Sequence, residues 1–136
     1  MRAGRCEDEL SGAFDGFPVD VWQVAEQLGI VVLETKWRGL PHALCLYPER
    51  IIVLNGLRSL TSRRFDLAHE LGHYVLGVET YHTSAANLFA AELLMPAAVF
   101  KLEVLVAGGV TDGVCQMFGV SRAAAQLRVK QLREVI

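Results

Sequence analysis

Residues 63–77 read RRFDLAHELGHYVLG and place two histidines four positions apart, with a glutamate directly after the first. On a helix of about 100° per residue, His69 and His73 lie one turn apart and about 40° apart, so both imidazoles can reach one ion. Glu70 is offset by about 100°, which suits a base acting on metal-bound water better than a ligand. The stretch therefore predicts a helix that carries a metal site with its own general base.

The surroundings of the two histidines favour a metal over a purely structural helix. Ser62, Asp66, His69 and His73 form a narrow polar stripe between two apolar stripes, and Gly77 stands where a helix-ending glycine belongs. Buried polar groups without partners cost free energy, and a bound ion removes that cost. The alternative is a buried helix whose histidines are hydrogen-bonded within the protein.

A third ligand has to come from elsewhere in the chain. Glu79 and His82 are candidates, but Glu92 is the strongest, because it is an acidic residue within the apolar stretch LFAAELLMP. A carboxylate in such a helix faces solvent, a cation or a metal. The alternative for Glu92 is an ion pair with Arg63 or Arg64. Nitrogen and oxygen ligands of this kind accept zinc, and manganese is possible.

Length and composition describe one folded domain over residues 1–136, with a polar N-terminal arm at 1–16 and a helical tail at 110–136. A net charge of −2 gives no global positive field for nucleic acid or a membrane surface. No apolar run approaches the roughly 20 residues of a membrane-spanning helix. The cysteines, odd in number and far apart, favour free thiols in the cytoplasm; they are Cys6, Cys45 and Cys115.

Hydrophobic periodicity predicts an α+β fold, with a helix and three short strands in the first half and helices in the second. The predicted segments are a helix within 17–29, strands at 30–35, 43–47 and 50–55, and helices at 59–77, 84–95, about 99–107, and on either side of residues 119–121. We expect the three-stranded sheet to pack on the histidine helix.

At this point a family resemblance is apparent. RRFDLAHELGHYVLG followed by ANLFAAELLMP resembles the ImmA/IrrE-type metallopeptidases, small bacterial and phage zincins of the gluzincin kind. The resemblance extends to FPVDVWQVAEQLGI, to IIVLN and to FGVSRAAAQLRVKQL, and so covers the chain from about residue 17. It implies a minimal zincin-like domain with His69, His73 and Glu92 as metal ligands and Glu70 as the general base.

The resemblance also implies a substrate class. Known members cut helix-turn-helix repressors and so relieve repression in phage, mobile-element or DNA-damage responses. This implies a zinc-dependent endopeptidase whose partner is a repressor protein. Two alternatives stay open: a non-catalytic, metal-stabilised module that binds a repressor or DNA, and a toxin-like component of a two-gene module.

Some details of the site are left open by the sequence. The threonine usual before LAHE in the family is Asp66 here. Asp66 could support the ligands by hydrogen bonding or be only a surface charge, and we expect the surface charge. His82, Tyr81 and His42 are candidates for stabilising the oxyanion. By resemblance, the strand ALCLY or IIVLN would align an extended substrate at its edge.

The tail VCQMFGVSRAAAQLRVKQLREV looks like a helix-turn-helix with basic residues on or near its second helix, namely Arg122, Arg128, Lys130 and Arg133. Such cations could contact phosphates. The acidic overall balance and the single copy of the motif favour a packed helical end with a solvated basic face. DNA is therefore a possible but disfavoured partner.

Overall fold

The computed structural model describes residues 16–77 and 83–135, and the statements below concern that part of the chain. Its elements in chain order are α1 (Val21–Gln27), β1 (Val31–Thr35), β2 (Ala43–Leu46), β3 (Ile51–Asn55), α2 (Leu60–Leu76), α3 (Thr83–Leu94), α4 (Ala97–Ala107), α5 (Asp112–Phe118) and α6 (Arg122–Val135). The predicted α+β fold is confirmed, with the sheet in the first half and helices in the second. The proposed arm at 1–16 lies outside the described residues except for Gly16.

The three strands form one mixed sheet in the order β1-β3-β2. β1 runs parallel to β3, with Val31 opposite Ile51, and β2 runs antiparallel to β3, with Ala43 opposite Leu54. The central strand provides the core residues, since Ile52 and Leu54 are fully buried. β3 is paired on both sides, whereas β1 and β2 are the edges of the described sheet.

Local signals set both ends of the histidine helix α2. The Ser59 hydroxyl accepts a hydrogen bond from the backbone N–H of Ser62, which satisfies one of the free donors of the first turn. Gly77 ends the helix in the left-handed conformation (φ 64°), and its N–H donates to the carbonyl of His73. The predicted helix at 59–77 is thus confirmed.

Close packing of α2 on α3 depends on the absence of a side chain at Gly72. A Cβ built on Gly72 would lie 3.1 Å from Cβ and Cδ1 of Phe89 and 3.2 Å from Cα of Ala86. Ala86 and Ala90 on the facing helix are fully buried and also have small side chains. These residues allow the two backbones to approach closely, and this brings α3 side chains beside the histidines.

A buried arginine ties α2 to the C-terminal tail. Arg64 is 6% exposed. Its guanidinium donates to the carbonyl oxygens of Gly119 (2.9 Å), Phe118 (3.1 Å) and Val19. Gly119 has φ 66°, and a Cβ there would lie 2.6 Å from Nε of Arg64. The turn between α5 and α6 is therefore held against the histidine helix.

A membrane-spanning segment is not found among the described helices, none of which is both long and apolar enough.

We predict that Gly72→Ala destabilises the protein by about 1–3 kcal/mol, because the added methyl group overpacks the contact between α2 and α3. This loss would exceed the gain of up to about 1 kcal/mol in helix propensity. Urea unfolding followed by circular dichroism measures the change. Gly113→Ala is the matched control, since its Cβ meets only the Thr111 hydroxyl at 3.8 Å. Equal stability of the two variants would contradict the packing argument.

Candidate metal centre

The structure brings the two predicted histidines together. Nε2 of His69 lies 3.1 Å from Nε2 of His73, and the ring centroids are 4.8 Å apart. His73 is 3% exposed, whereas His69 is half-buried. The two imidazole rings thus direct their Nε2 atoms toward each other.

Asn87 of α3 orients the ring of His69. Its Oδ1 lies 2.7 Å from Nδ1 of His69, so the amide oxygen accepts from the Nδ1–H of a neutral imidazole. In that tautomer the lone pair of Nε2 of His69 accepts a hydrogen bond from Nε2–H of His73 at 3.1 Å, and the same lone pair could instead bind a metal. Asn87 was not predicted as a site residue, although a polar amide within the mainly apolar stretch SAANLFAA needs a partner for the same reason as Glu92 in LFAAELLMP.

The histidine pair fits a metal ion as two of its ligands. Two imidazole nitrogens bound tetrahedrally at 2.0–2.1 Å would lie about 3.3 Å apart, close to the distance between the two Nε2 atoms here. Nδ1 of His73 is buried and has no hydrogen-bond partner in the part of the chain that the structure describes. Within residues 16–77 and 83–135, no group of three His, Cys, Asp or Glu side chains could hold a metal.

Glu92, the predicted third ligand, is engaged elsewhere. Its Oε2 lies 3.0 Å from Nη2 of Arg128, an ion pair without the angles of a directional hydrogen bond. Arg128 is 2% exposed and Glu92 is 56% exposed. Glu92 thus forms an ion pair, as the alternative predicted, but its partner is Arg128. The two arginines that we expected as its partner are engaged elsewhere: Arg63 pairs with Glu34, and Arg64 donates to backbone carbonyls.

That Glu92 binds a metal stays a prediction, and it would require the carboxylate to exchange Arg128 for the ion. The other two candidate ligands, Glu79 and His82, lie outside the described residues, as does the oxyanion candidate Tyr81.

Glu70 is half-buried beside the histidines. Burial raises the pKa of its carboxyl group, the nearby His73 lowers it, and the negative charge of Asp66 raises it again. A carboxylate with a raised pKa holds a proton more strongly, which improves a general base near neutral pH.

Asp66 is not the surface charge that we expected. It is 8% exposed, and its carboxylate accepts from Nε (2.7 Å) and Nη2 (3.4 Å) of Arg58. Arg58 lies two residues before the start of α2, and its side chain extends along the helix to Asp66. Helical spacing therefore could not predict this ion pair. His42 lies further out, with Nδ1 4.0 Å from Asp66 and 69% of its side chain exposed.

These groups line an open cleft of about 640 Å³ between the start of β2 and the histidine helix. Its lining includes His42, Ala43, Asp66, His69, Glu70 and Asn87. The cleft therefore exposes the imidazole of His69, a carboxylate able to move a proton, and a strand edge, whereas His73 is buried and reaches the site only through its contact with His69. These groups together suit hydrolysis of an extended chain.

We predict that Glu70→Gln raises the melting temperature of the metal-free protein at pH 7. The raised pKa means that the folded state favours the protonated carboxyl group, so ionised Glu70 opposes folding above both pKa values. The gain should vanish as the pH falls below about 4, near the unfolded pKa. Scanning calorimetry across this pH range measures it. Glu26→Gln, at an exposed position of α1, should not raise the melting temperature. If Glu70→Gln raised the melting temperature at pH 7 no more than Glu26→Gln does, the argument from burial would be contradicted.

We predict that Glu92→Gln lowers the free energy of unfolding by about 1–3 kcal/mol, because it leaves the buried Arg128 without its counter-charge. Urea unfolding measures this change, again with Glu26→Gln as control, and unchanged stability would contradict the ion pair.

Zinc per chain, measured by mass spectrometry on the same samples, distinguishes the role of Glu92 as a metal ligand from its role as the partner of Arg128. A sharp loss of zinc would make Glu92 a ligand, whereas unchanged zinc would leave it as the partner of Arg128.

A sequence model of the family described as IrrE N-terminal-like domain (Peptidase M78) matches residues 25–130. No curated protein matches the chain significantly. Among solved structures, a Mycobacterium tuberculosis transcriptional regulator is similar, with a TM-score of 0.70 and 17% sequence identity. The match covers 81% of this chain and 48% of that one, so this chain spans about half the length of the regulator. At this identity the likeness shows a shared fold, whereas the family match covers most of the chain. The chain belongs to the Peptidase M78 family, whose model describes an IrrE N-terminal-like domain.

Proposed function

We propose that the protein is a metal-dependent endopeptidase that cleaves a helix-turn-helix transcriptional repressor. The observation that carries the proposal is the convergence of the Nε2 atoms of His69 and His73 within 3.1 Å, with Glu70 beside them. Membership of a peptidase family supports the reaction class.

His69 and His73 would hold the ion, with Glu92 as the proposed third ligand and zinc as the favoured metal. When bound, such an ion polarises the scissile carbonyl and lowers the pKa of water. Glu70 takes a proton from the attacking water and passes it to the leaving amine. Asn87 holds the His69 ring in the tautomer that exposes Nε2. Asp66 adds negative charge near Glu70, and Arg58 keeps that carboxylate in place.

The sheet offers one edge beside these groups. Of the two strands named for substrate alignment, β3 is paired on both sides, whereas β2 is an edge strand whose Ala43 lines the cleft. An extended peptide added to β2 would gain backbone hydrogen bonds that do not depend on its sequence. Its scissile bond would then pass over the histidines.

The substrate class rests on the family resemblance, and the similar structure described as a transcriptional regulator is consistent with a role in gene control. A repressor has exposed segments between its domains, and an extended segment is the form that a strand edge accepts.

A second candidate function is a non-catalytic module, favoured by the lack of a third metal-binding side chain among the described residues.

Direct DNA binding by the tail is less well supported. Arg128 is buried and donates to the carbonyl of Met95, and Arg122 is bound to Asp112 and to the carbonyl of Val110. Only Lys130 and Arg133, of the four cations on or near the helix, are exposed without a described partner.

We predict that Glu70→Gln lowers repressor cleavage by about 10²–10⁴-fold, because the variant cannot accept the proton of the attacking water. The assay incubates zinc-loaded protein with purified helix-turn-helix repressors from the same genome and identifies fragments by mass spectrometry. Glu26→Gln serves as the control and should cleave normally. Fragments formed equally by Glu70→Gln, or stoichiometric binding by the wild type without fragments, would overturn the proposal in favour of the non-catalytic module.

A further inference from the structure

The guanidinium group of Arg128 is buried but incompletely paired. Only 2% of this side chain is exposed. Its Nε donates to the carbonyl of Met95 at 3.0 Å, and its Nη1 donates to Oε1 of Gln131 at 3.3 Å. Nη2 is also buried and has no hydrogen-bond partner among the described residues, although Oε2 of Glu92 lies 3.0 Å away. Glu92 therefore supplies a counter-charge to Arg128 but leaves the N–H groups of Nη2 unsatisfied.

Binding of a metal at the histidines would remove even this counter-charge. In its proposed role as third ligand, Glu92 turns to the ion held by His69 and His73, and its carboxylate leaves Arg128. A buried guanidinium without an anionic partner costs much free energy, and a different anion beside Arg128 offsets that cost. The need arises as soon as the metal binds, whether or not a peptide is present. A free ion from solution therefore suits the position.

Arg128 lines a cavity of about 300 Å³ between α2, α3 and α6. Within the described part of the chain, the charged residues that line it are Arg58, Asp66 and Arg128, whereas Glu92 does not line it. Arg58 and Asp66 form an ion pair at 2.7 Å and neutralise each other. The positive charge that remains in the lining is that of Arg128. An oxyanion of the size of phosphate fits easily in a cavity of this volume.

Uncharged polar groups of the lining can still donate hydrogen bonds. The hydroxyl oxygen of Ser121 accepts from the backbone N–H of Ala124, and Oε1 of Gln131 accepts from Arg128. The hydroxyl proton of Ser121 and the amide N–H groups of Gln131 therefore remain for a ligand. Ser121 and Ala124 also lie at the N-terminus of the 14-residue helix α6, where backbone N–H groups carry partial positive charge. All of these groups favour an anion.

We propose that this cavity binds a small free oxyanion of the phosphate class at Arg128, and that the anion replaces Glu92 as counter-charge when Glu92 binds a metal. Metal and anion then bind cooperatively, and each tightens the binding of the other by the same factor. The dependence on metal rests on the proposed function, in which Glu92 is a ligand. The anion site itself does not, because any change that removes the charge of Glu92 frees Arg128.

Sulfate is the probe, since it is a tetrahedral dianion like phosphate and does not precipitate zinc. Isothermal titration calorimetry on metal-free protein at constant ionic strength measures its binding. We expect Glu92→Gln to bind sulfate at least about tenfold more tightly than the wild type, in which the Glu92 carboxylate competes for Arg128. Glu26→Gln removes an exposed carboxylate from α1 and should bind sulfate as the wild type does. Equal affinity in Glu92→Gln and the wild type would overturn the proposal.

Two substitutions of one wall residue test whether the anion lies in the cavity. Leu127 lines the cavity and is 55% exposed, so its replacement should leave the core intact. In the Glu92→Gln background, Leu127→Glu should weaken sulfate binding at least about tenfold, because it places a like charge beside the anion. Leu127→Gln has the same size without the charge and should retain binding. Equal sulfate affinities of these two variants would overturn the assignment to this cavity.

Zinc loading then tests the link to the metal centre. Zinc should tighten sulfate binding to the wild type at least about tenfold, and Leu127→Glu should abolish this gain, whereas sulfate bound to the zinc ion itself would persist. Tight binding by Glu92→Gln without any effect of zinc on the wild type would support the anion site and overturn its coupling to the metal. Zinc-dependent cleavage of a repressor with no sulfate binding to either protein would reject the anion site and leave the peptidase standing.

Discussion

The guanidinium group of Arg64 is the interaction on which the arrangement of the domain depends. It is buried, and its three hydrogen bonds reach the segment before α1 and the turn between α5 and α6. Burying an arginine without these acceptors would cost much free energy. The folded state therefore requires α2, the segment before α1 and the turn between α5 and α6 to come together. This fixes α6 beside the histidine helix and creates the cavity between them.

The chemistry of the site depends on a second constraint, the close approach of α2 and α3. Gly72 lies inside the motif HELGH, and the space left by its missing side chain is filled by Phe89 and Ala86. Only at this distance can Asn87 bind Nδ1 of His69. One glycine thus sets both the packing of two helices and the position of Asn87 against a proposed ligand, linking the packing of the core to the proposed metal centre.

Much of the fold could be predicted from the sequence because its signals are local. Ser59 and Gly77 mark the two ends of α2, and the short continuous apolar run IIVL at 51–54 predicts a buried strand at β3. The convergence of His69 and His73 likewise follows from helical spacing alone. These features need only short-range geometry, which the order of residues supplies.

The remaining features depend on contacts between distant segments. Asp66 seemed to be a surface charge because its partner, Arg58, precedes the helix and does not share its periodicity. We expected Arg128 on a solvated basic face, with phosphate contact as the disfavoured alternative, yet it is 2% exposed and pairs with Glu92, 36 positions earlier. The sequence indicates that a charged residue on a buried helix face needs a partner. Tertiary packing determines which residue that partner is.

The central claim is that His69 and His73 present their Nε2 atoms to one metal ion. Long-range ¹H–¹⁵N spectra of the four histidine rings during zinc titration test it directly. We predict that His69 carries its proton on Nδ1 before zinc is added, and that one equivalent of zinc shifts the Nε2 signals of His69 and His73 together. A His69 ring protonated on Nε2, or zinc that leaves both rings unchanged, would contradict the account.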